Sequence, residues 1–276
     1  MKKILQLLVL VGVLLGSNTA FAQEKVSIGV VGEEYEAIWL YVAEKAAEEG
    51  IELEVVMFTD YNIPNVALAD GSVDLNSFQH DVFLENWNTE NKGDLVTIGY
   101  TVAVPTRIYS EEYTSLDELP DGAKIAVNNA PTSLSYNLQT LERAGLITLG
   151  ETGELLPTTD DIVENPKNLE IIEVEGSHIA SLVPDVDAAF IDNSFLDATN
   201  FEPKDAIYVF GDTPDTINIS RVNNIAARAE DADNEVYLKL VELYQQEDVA
   251  EVIDEVTSGG SIPAWDLVKE AQESAE

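Results

Sequence analysis

The chain has 276 residues, 45% of them hydrophobic. That is enough for one large or two small cores and too apolar for a disordered segment. Its 52 acidic residues against 14 basic ones give a net charge of −38, which argues against nucleic acid and anionic lipid as partners and reads as a solvated, salt-tolerant surface. There is no Cys, so disulfides, thiolate metal sites, a Cys nucleophile and lipid attachment to an N-terminal Cys are all excluded.

Residues 1–22 read as a secretory signal peptide: Lys2 and Lys3, a short apolar run from Ile4 to Leu15, then Ala20-Phe21-Ala22 as the cleavage site. The mature chain is expected to begin at Gln23 and, without a lipid anchor, to reside in a Gram-negative periplasm. No later apolar run is long enough to span a bilayer.

Val26 to Val31 predicts a first strand. A helix follows over Tyr35 to Glu49, with Ile38, Tyr41, Val42, Lys45 and Ala46 near one stripe and Gly50 as its stop. Trp39 on this helix is expected in the core. Leu53 to Phe58 predicts a second strand, making a right-handed parallel βαβ unit. Asn62-Ile63-Pro64 opens a short helix that Gly71 stops. A strand near Val73 to Leu75 delivers Asn76 to His80 to its end, and Val82 to Asn88 predicts a helix. Leu95 to Val104 reads as one long strand that leaves the first lobe at Pro105. Thr106 to Ser110 opens the second.

Ser115 with Glu118 predicts a capping box. Strands are expected over Lys124 to Val127, Leu169 to Val174, Ala188 to Ile191 and Asp205 to Phe210. Helices are expected over Ser133 to Ala144, Thr158 to Val163 and Ser177 to Val183. Val222 to Ala227 reads as the return strand, and Asn234 to Gln245 and Val249 to Val256 as closing helices. The tail after Trp265 is expected to be frayed or loosely helical. No repeat of fixed period is visible.

The stretch from Phe58 to Phe83 concentrates the chemistry. Two strand ends carry Tyr61, Phe78 and His80, and parallel sheets bind ligands beyond the carboxyl ends of their strands. An aromatic box with one titratable member suits a small ligand with an apolar side chain.

TDYxxPNxAL followed by DxNxFQHxxFL resembles the methionine-uptake substrate-binding proteins of bacterial ABC transporters, the NlpA-type lipoprotein family. The resemblance runs from about Val26 to Trp265. It is supported by Ser115 to Gly122, Glu164 to Leu169 and Gly259-Gly260. It implies an α/β, two-lobed periplasmic-binding-protein fold (type II-like), each lobe a mainly parallel sheet flanked by helices, joined by two crossing strands. The lobes would be residues 23–105 with 222–276, and residues 106–221. It further implies capture of a methionine-like amino acid between the lobes and delivery to a membrane permease, by a monomer without cofactor. A different amino acid, a derivative or a dipeptide is the alternative cargo.

Matched by motif, the resemblance assigns ligand contacts to Tyr61, Phe78, His80, Phe83 (where the family has Tyr) and Asn223. It also marks two departures. Tyr136 stands where the family places an Arg that grips the ligand carboxylate, and Asp192 stands where it places an Asn. Arg221, at a position with an aromatic in the family, and Arg107, at a position with a small residue, are the two candidates for a relocated carboxylate anchor. Against this, both read equally well as ordinary hinge or surface residues. Asp192 is a candidate partner for a ligand ammonium. His178 reads as a surface residue. Two His and no Cys give a transition-metal site little support. No G-x-S-x-G, P-loop, G-x-G-x-x-G or H-E-x-x-H motif is present, and a Ser77–His80 dyad would lack an orienting partner. Binding without catalysis is therefore expected, with a hydrolase as the weaker reading.

Overall fold

A computed structural model describes residues 24–151 and 156–274; the expected signal segment lies outside them. The first strand, β1 (Glu24–Val31), runs inward to Gly32 and leads into α1 (Glu33–Glu48). Glu33, Glu34 and Glu36 occupy the first turn of α1, where carboxylates favour the positive end of the helix dipole. Its buried stripe is Tyr35, Ile38, Trp39, Val42 and Ala46, at the spacing of a core-facing helix. Trp39 is fully buried against Tyr244, ring centroids 4.8 Å apart. Then follow β2 (Ile51–Phe58), α2 (Pro64–Ala69), β3 (Leu75–Asn76), α3 (Asp81–Asn91) and β4 (Leu95–Tyr100).

The single strand expected over Leu95 to Val104 is instead two, β4 and β5 (Val102–Ala103). Thr101 breaks it because its backbone bonds turn to other partners: its N–H donates to Asn223 O at 2.8 Å and its carbonyl accepts from Ala264 N at 3.0 Å. From Pro105 the chain enters β6 (Thr106–Tyr109), then β7 (Lys124–Asn128), α4 (Pro131–Arg143), β8 (Thr148–Leu149), β9 (Ile162–Glu164), β10 (Glu170–Val174), α5 (Gly176–Leu182), β11 (Ala188–Phe190) and β12 (Tyr208–Phe210). It returns through β13 (Asn224–Arg228) to α6 (Glu235–Tyr244), α7 (Glu247–Val256), β14 (Ile262–Pro263) and α8 (Trp265–Glu273).

Three local expectations are corrected. Ser115 makes no side-chain cap; Glu118 instead accepts from the N–H and hydroxyl of Thr114, at 2.8 and 3.0 Å. Thr158 to Val163 is not a helix. Only a 3-10 turn forms over Thr159–Asp161, and the β-branched Ile162 and Val163 pass into β9, which pairs with β8. The tail is a packed helix, α8, with Val268 1% exposed among Ala103, Val222 and Ala264.

The strands form two five-stranded sheets, β2-β1-β3-β13-β4 and β10-β7-β11-β6-β12. In each, all strands but one run the same way; the reversed ones are β13 and β6, the strands through which the chain crosses between lobes. Reversal follows from entering a sheet from the far lobe. The first sheet is covered by α1, α6 and α7 on one face and by α2 and α3 on the other. The second is likewise covered on both faces. The two crossings lie side by side, Asn223 N donating to Val102 O at 2.8 Å. The β14–β5 pair and α8 pack against them.

Candidate functional site

Beyond the end of β2, Asp60 Oδ1 accepts from the N–H groups of Asn62 and Ile63 at 2.6 and 3.2 Å. This Asx turn holds Tyr61 just before the Pro that starts α2. Beyond β3, Gln79 is tied into a buried amide cluster. It exchanges two 2.7 Å bonds with Asn65 and donates to Asn76 at 3.1 Å, while Asn76 donates to Asn65 at 2.9 Å. Side chains alternate along an extended segment, so anchoring Gln79 fixes Phe78 and His80 on either side of it.

His80 caps α3: its Nδ1 accepts from Phe83 N at 3.1 Å. Burial, and then the charge of Arg221, hold its pKa well below the usual 6.5. The ring is therefore neutral, and with Nδ1 accepting, its proton sits on Nε2 as a donor.

Tyr61, Phe78 and Phe83 pack together, with ring centroids 5.9 Å (Tyr61–Phe78), 5.7 Å (Phe78–Phe83) and 6.5 Å (Tyr61–Phe83) apart. The second lobe adds Phe195, 5.0 Å from Tyr61. Phe195 supports Tyr61 without itself lining the cavity, and sequence reasoning missed it. Its only signal is an aromatic just past the strand end that carries Asp192. Burial, and then the Asp192 charge, push the Tyr61 hydroxyl far above its usual range, so it stays protonated.

On the second lobe, Asp192 lies two residues past the end of β11, and its Oδ2 accepts from Asn128 Nδ2 at 3.2 Å. Burial raises the Asp192 pKa; Asn128 and Arg221 offset part of that rise. Asn128 is itself set by α4, its N–H donating to Asn137 Oδ1 at 3.2 Å. Tyr136 lies on α4, and the Arg221 guanidinium carbon stands 3.7 Å from its ring centroid.

One cavity of about 100 Å³, partly open to solvent, joins these groups. Tyr61, Phe78, His80, Phe83, Arg107, Tyr136, Asp192, Arg221 and Asn223 all line it. Tyr35, Ser133, Asn137, Asn193 and Ser194 line it too and were not anticipated as contacts.

The two Arg candidates differ. Arg107 is 6% exposed and already occupied: it donates to Gly260 O at 2.8 Å, to Asn193 Oδ1 at 3.2 Å and to Gly259 O and Pro105 O at 3.5 Å. Asn193 continues the link to Ser261 Oγ at 3.2 Å, and Ser261 to the Tyr35 hydroxyl at 3.0 Å. This chain of bonds ties the second lobe to the first, so Arg107 is a structural stitch. Gly32 marks the same contact. Its φ is +95°, and a Cβ there would lie 2.8 Å from Ser194 Cα. Arg221, by contrast, makes one hydrogen bond among the described residues, a long one of 3.4 Å to Thr132 O. His178 is exposed on α5 and away from the cavity lining.

The NlpA lipoprotein family profile matches residues 26–265. A probable D-methionine-binding lipoprotein MetQ of Vibrio cholerae is 38% identical over 249 residues, 89% of this chain and 90% of its own length. The D-methionine-binding lipoprotein MetQ of Salmonella typhi is 39% identical over 230 residues, 81% of this chain and 83% of its own. Among solved structures, the methionine binding protein MetQ superposes with a TM-score of 0.80 at 36% identity, covering 87% of this chain and 98% of that one. A nutrient binding protein from Burkholderia cenocepacia, bound to methionine, gives a TM-score of 0.80 at 36% identity, covering 87% and 99%.

Proposed function

The chain belongs to the NlpA lipoprotein family, and from that membership we propose that it is the solute-binding component of an ABC importer. It closes over a methionine-like amino acid and hands it, unchanged, to a membrane permease. The observation that carries this reading is the convergence of an aromatic group and of polar side chains from both lobes on one cavity. The lobes of the reading are residues 23–105 with 222–276, and residues 106–221. On it, the protein works outside the cytoplasm with residues 1–22 as its export signal.

The physical roles divide simply. Tyr61, Phe78 and Phe83, with Phe195 packed against Tyr61, offer a desolvated, polarizable wall for a thioether side chain, and sulfur–aromatic contacts favour such packing. His80 Nε2–H and Asn223 supply neutral polar contacts beside it. Lobe closure removes water and strengthens every polar contact to the ligand. Nothing in this scheme breaks a bond of the solute.

Calorimetry of the chain with L- and D-methionine tests the reading. Binding is expected, and Phe78→Ala and His80→Ala are each expected to weaken it at least about tenfold, roughly 1.4 kcal/mol, with the fold intact by circular dichroism. Near wild-type affinity in both variants would remove this cavity as the site. Recovery of a chemically altered solute would overturn binding without catalysis.

A further inference from the structure

Resting on the reading above and deepening it, we propose that the cavity clamps its solute as a zwitterion, Arg221 taking the carboxylate and Asp192 the ammonium.

Arg221 and Asp192 both line the cavity and attract one another across it. Yet neither appears in an ion pair among the described residues. Opposite charges that share a sheltered space without touching leave room for a ligand carrying the complementary pair. Each is held from behind. Asp192 Oδ2 accepts from Asn128 Nδ2 at 3.2 Å, and the Tyr61 hydroxyl also bonds the carboxylate, so it is held at the cavity wall. Arg221 lies on the 3-10 turn Ile219–Arg221 just before the return strand, with its guanidinium packed on the face of Tyr136.

That packing decides what Arg221 can do. A guanidinium stacked on a ring by its face keeps its donors in the plane, free for a two-point grip on a carboxylate. Tyr136 is in turn 6.4 Å from Phe210, and the Arg143 guanidinium lies 4.2 Å from the Phe210 ring. The column Arg221–Tyr136–Phe210–Arg143 thus braces the fork from the second lobe. Burial lowers the Arg221 pKa to about 10, which leaves it cationic near neutrality. Arg107, whose donors are already bound to carbonyls, is not a competitor. Tyr136 therefore acts through Arg221, as the ring that carries its guanidinium.

The test is a comparison of ligands rather than of affinities alone. Calorimetry is run on the full chain with methionine, methioninamide (no carboxylate) and N-acetylmethionine (no ammonium). Wild type is expected to prefer methionine to each by at least about tenfold, the lower range for a charge-assisted contact. Arg221→Gln is expected to lose the preference over methioninamide while keeping that over N-acetylmethionine, and Asp192→Asn the reverse. Arg221→Lys should keep part of the first preference as a point charge. These ratios are internal to each variant, so a general loss of stability does not mimic them. If wild type binds methionine and both variants keep both preferences, the clamp is overturned and the importer reading stands. If wild type binds a dipeptide instead, the same ratios are measured on the dipeptide, its amide and its N-acetyl form, and they support or overturn the clamp in the same way. If wild type binds no amino acid and no dipeptide, the reading beneath the clamp falls, and the clamp with it.

Discussion

Arg107 and Arg221 line the same cavity, and only their neighbours separate them. Carbonyl groups of Gly259 and Gly260 take up one guanidinium, while the other rests on an aromatic ring. Glu34 is a second residue whose behaviour comes from across the lobe boundary. Burial and the charge of Asp197 push its pKa up to about 7 from the ordinary 4.5, against the pull of Arg107. A native acid with a raised pKa holds its proton longer than the unfolded chain does. Its contribution to stability is therefore lost as pH rises from about 4.5 to about 7, and stays lost above that. Glu34→Gln removes this loss. In urea unfolding the variant is expected to be more stable than wild type at about pH 8 and no more stable at about pH 4; equal midpoints at both would show that Glu34 is solvated in the native state. His80 has the opposite sign. Its depressed pKa means that the native state resists protonation, so stability falls as pH drops below its unfolded value near 6.5.

At the scale of the elements, the glycine helix stops are local and were legible. Gly50, Gly71 and Gly145 take positive φ just past α1, α2 and α4, where the sequence places helix stops. Two errors, at Thr101 and α8, fall where an element's hydrogen bonds or apolar face depend on a distant partner, whereas the Ser115 cap failed locally because Glu118 takes Thr114 instead. Thr101 interrupts a β-rich run because Asn223 and Ala264 compete for its backbone. The α8 segment looks like a polar tail because only Val268 is fully inserted, and what it meets comes from residues 103, 222 and 264. Val268→Ala removes two buried methyl groups and is expected to cost about 2 kcal/mol, read as a lower urea midpoint with unchanged slope. A neutral result would mean that α8 is not packed in solution. Gly32→Ala forces a Cβ toward Ser194 at a left-handed residue. It is expected to prop the lobes apart, seen as a larger radius of gyration by small-angle scattering and weaker solute binding; an unchanged radius would show that the lobes approach elsewhere.

For the whole molecule, the same strand order appears in both sheets, although no sequence period betrays it. Strand order is set by crossover connections and handedness, and it survives when lengths and residues diverge. The charge of −38 also acts at this scale. Like charges on a solvated surface repel at long range, and salt shortens that range from about 30 Å at 0.01 M to about 3 Å at 1 M. The melting temperature is accordingly expected to rise with added sodium chloride over that interval. A flat or falling profile would show that the acidic surface carries no net strain in dilute buffer.

By itself the sequence determined the order of nearly all elements, the family, and the residues that gather at the strand ends. These follow from periodicity, turn chemistry and motifs confined to short stretches. The tertiary structure alone decided that Phe195 packs against Tyr61, that Arg107 is a stitch and that Tyr136 and Arg221 are partners. Arg107 reaches acceptors 86 and 153 residues away in the chain, and Arg221 meets α4 some 89 residues back. Whether a guanidinium is free to bind a ligand depends on which carbonyls and rings surround it, and those come from parts of the chain that only folding brings near.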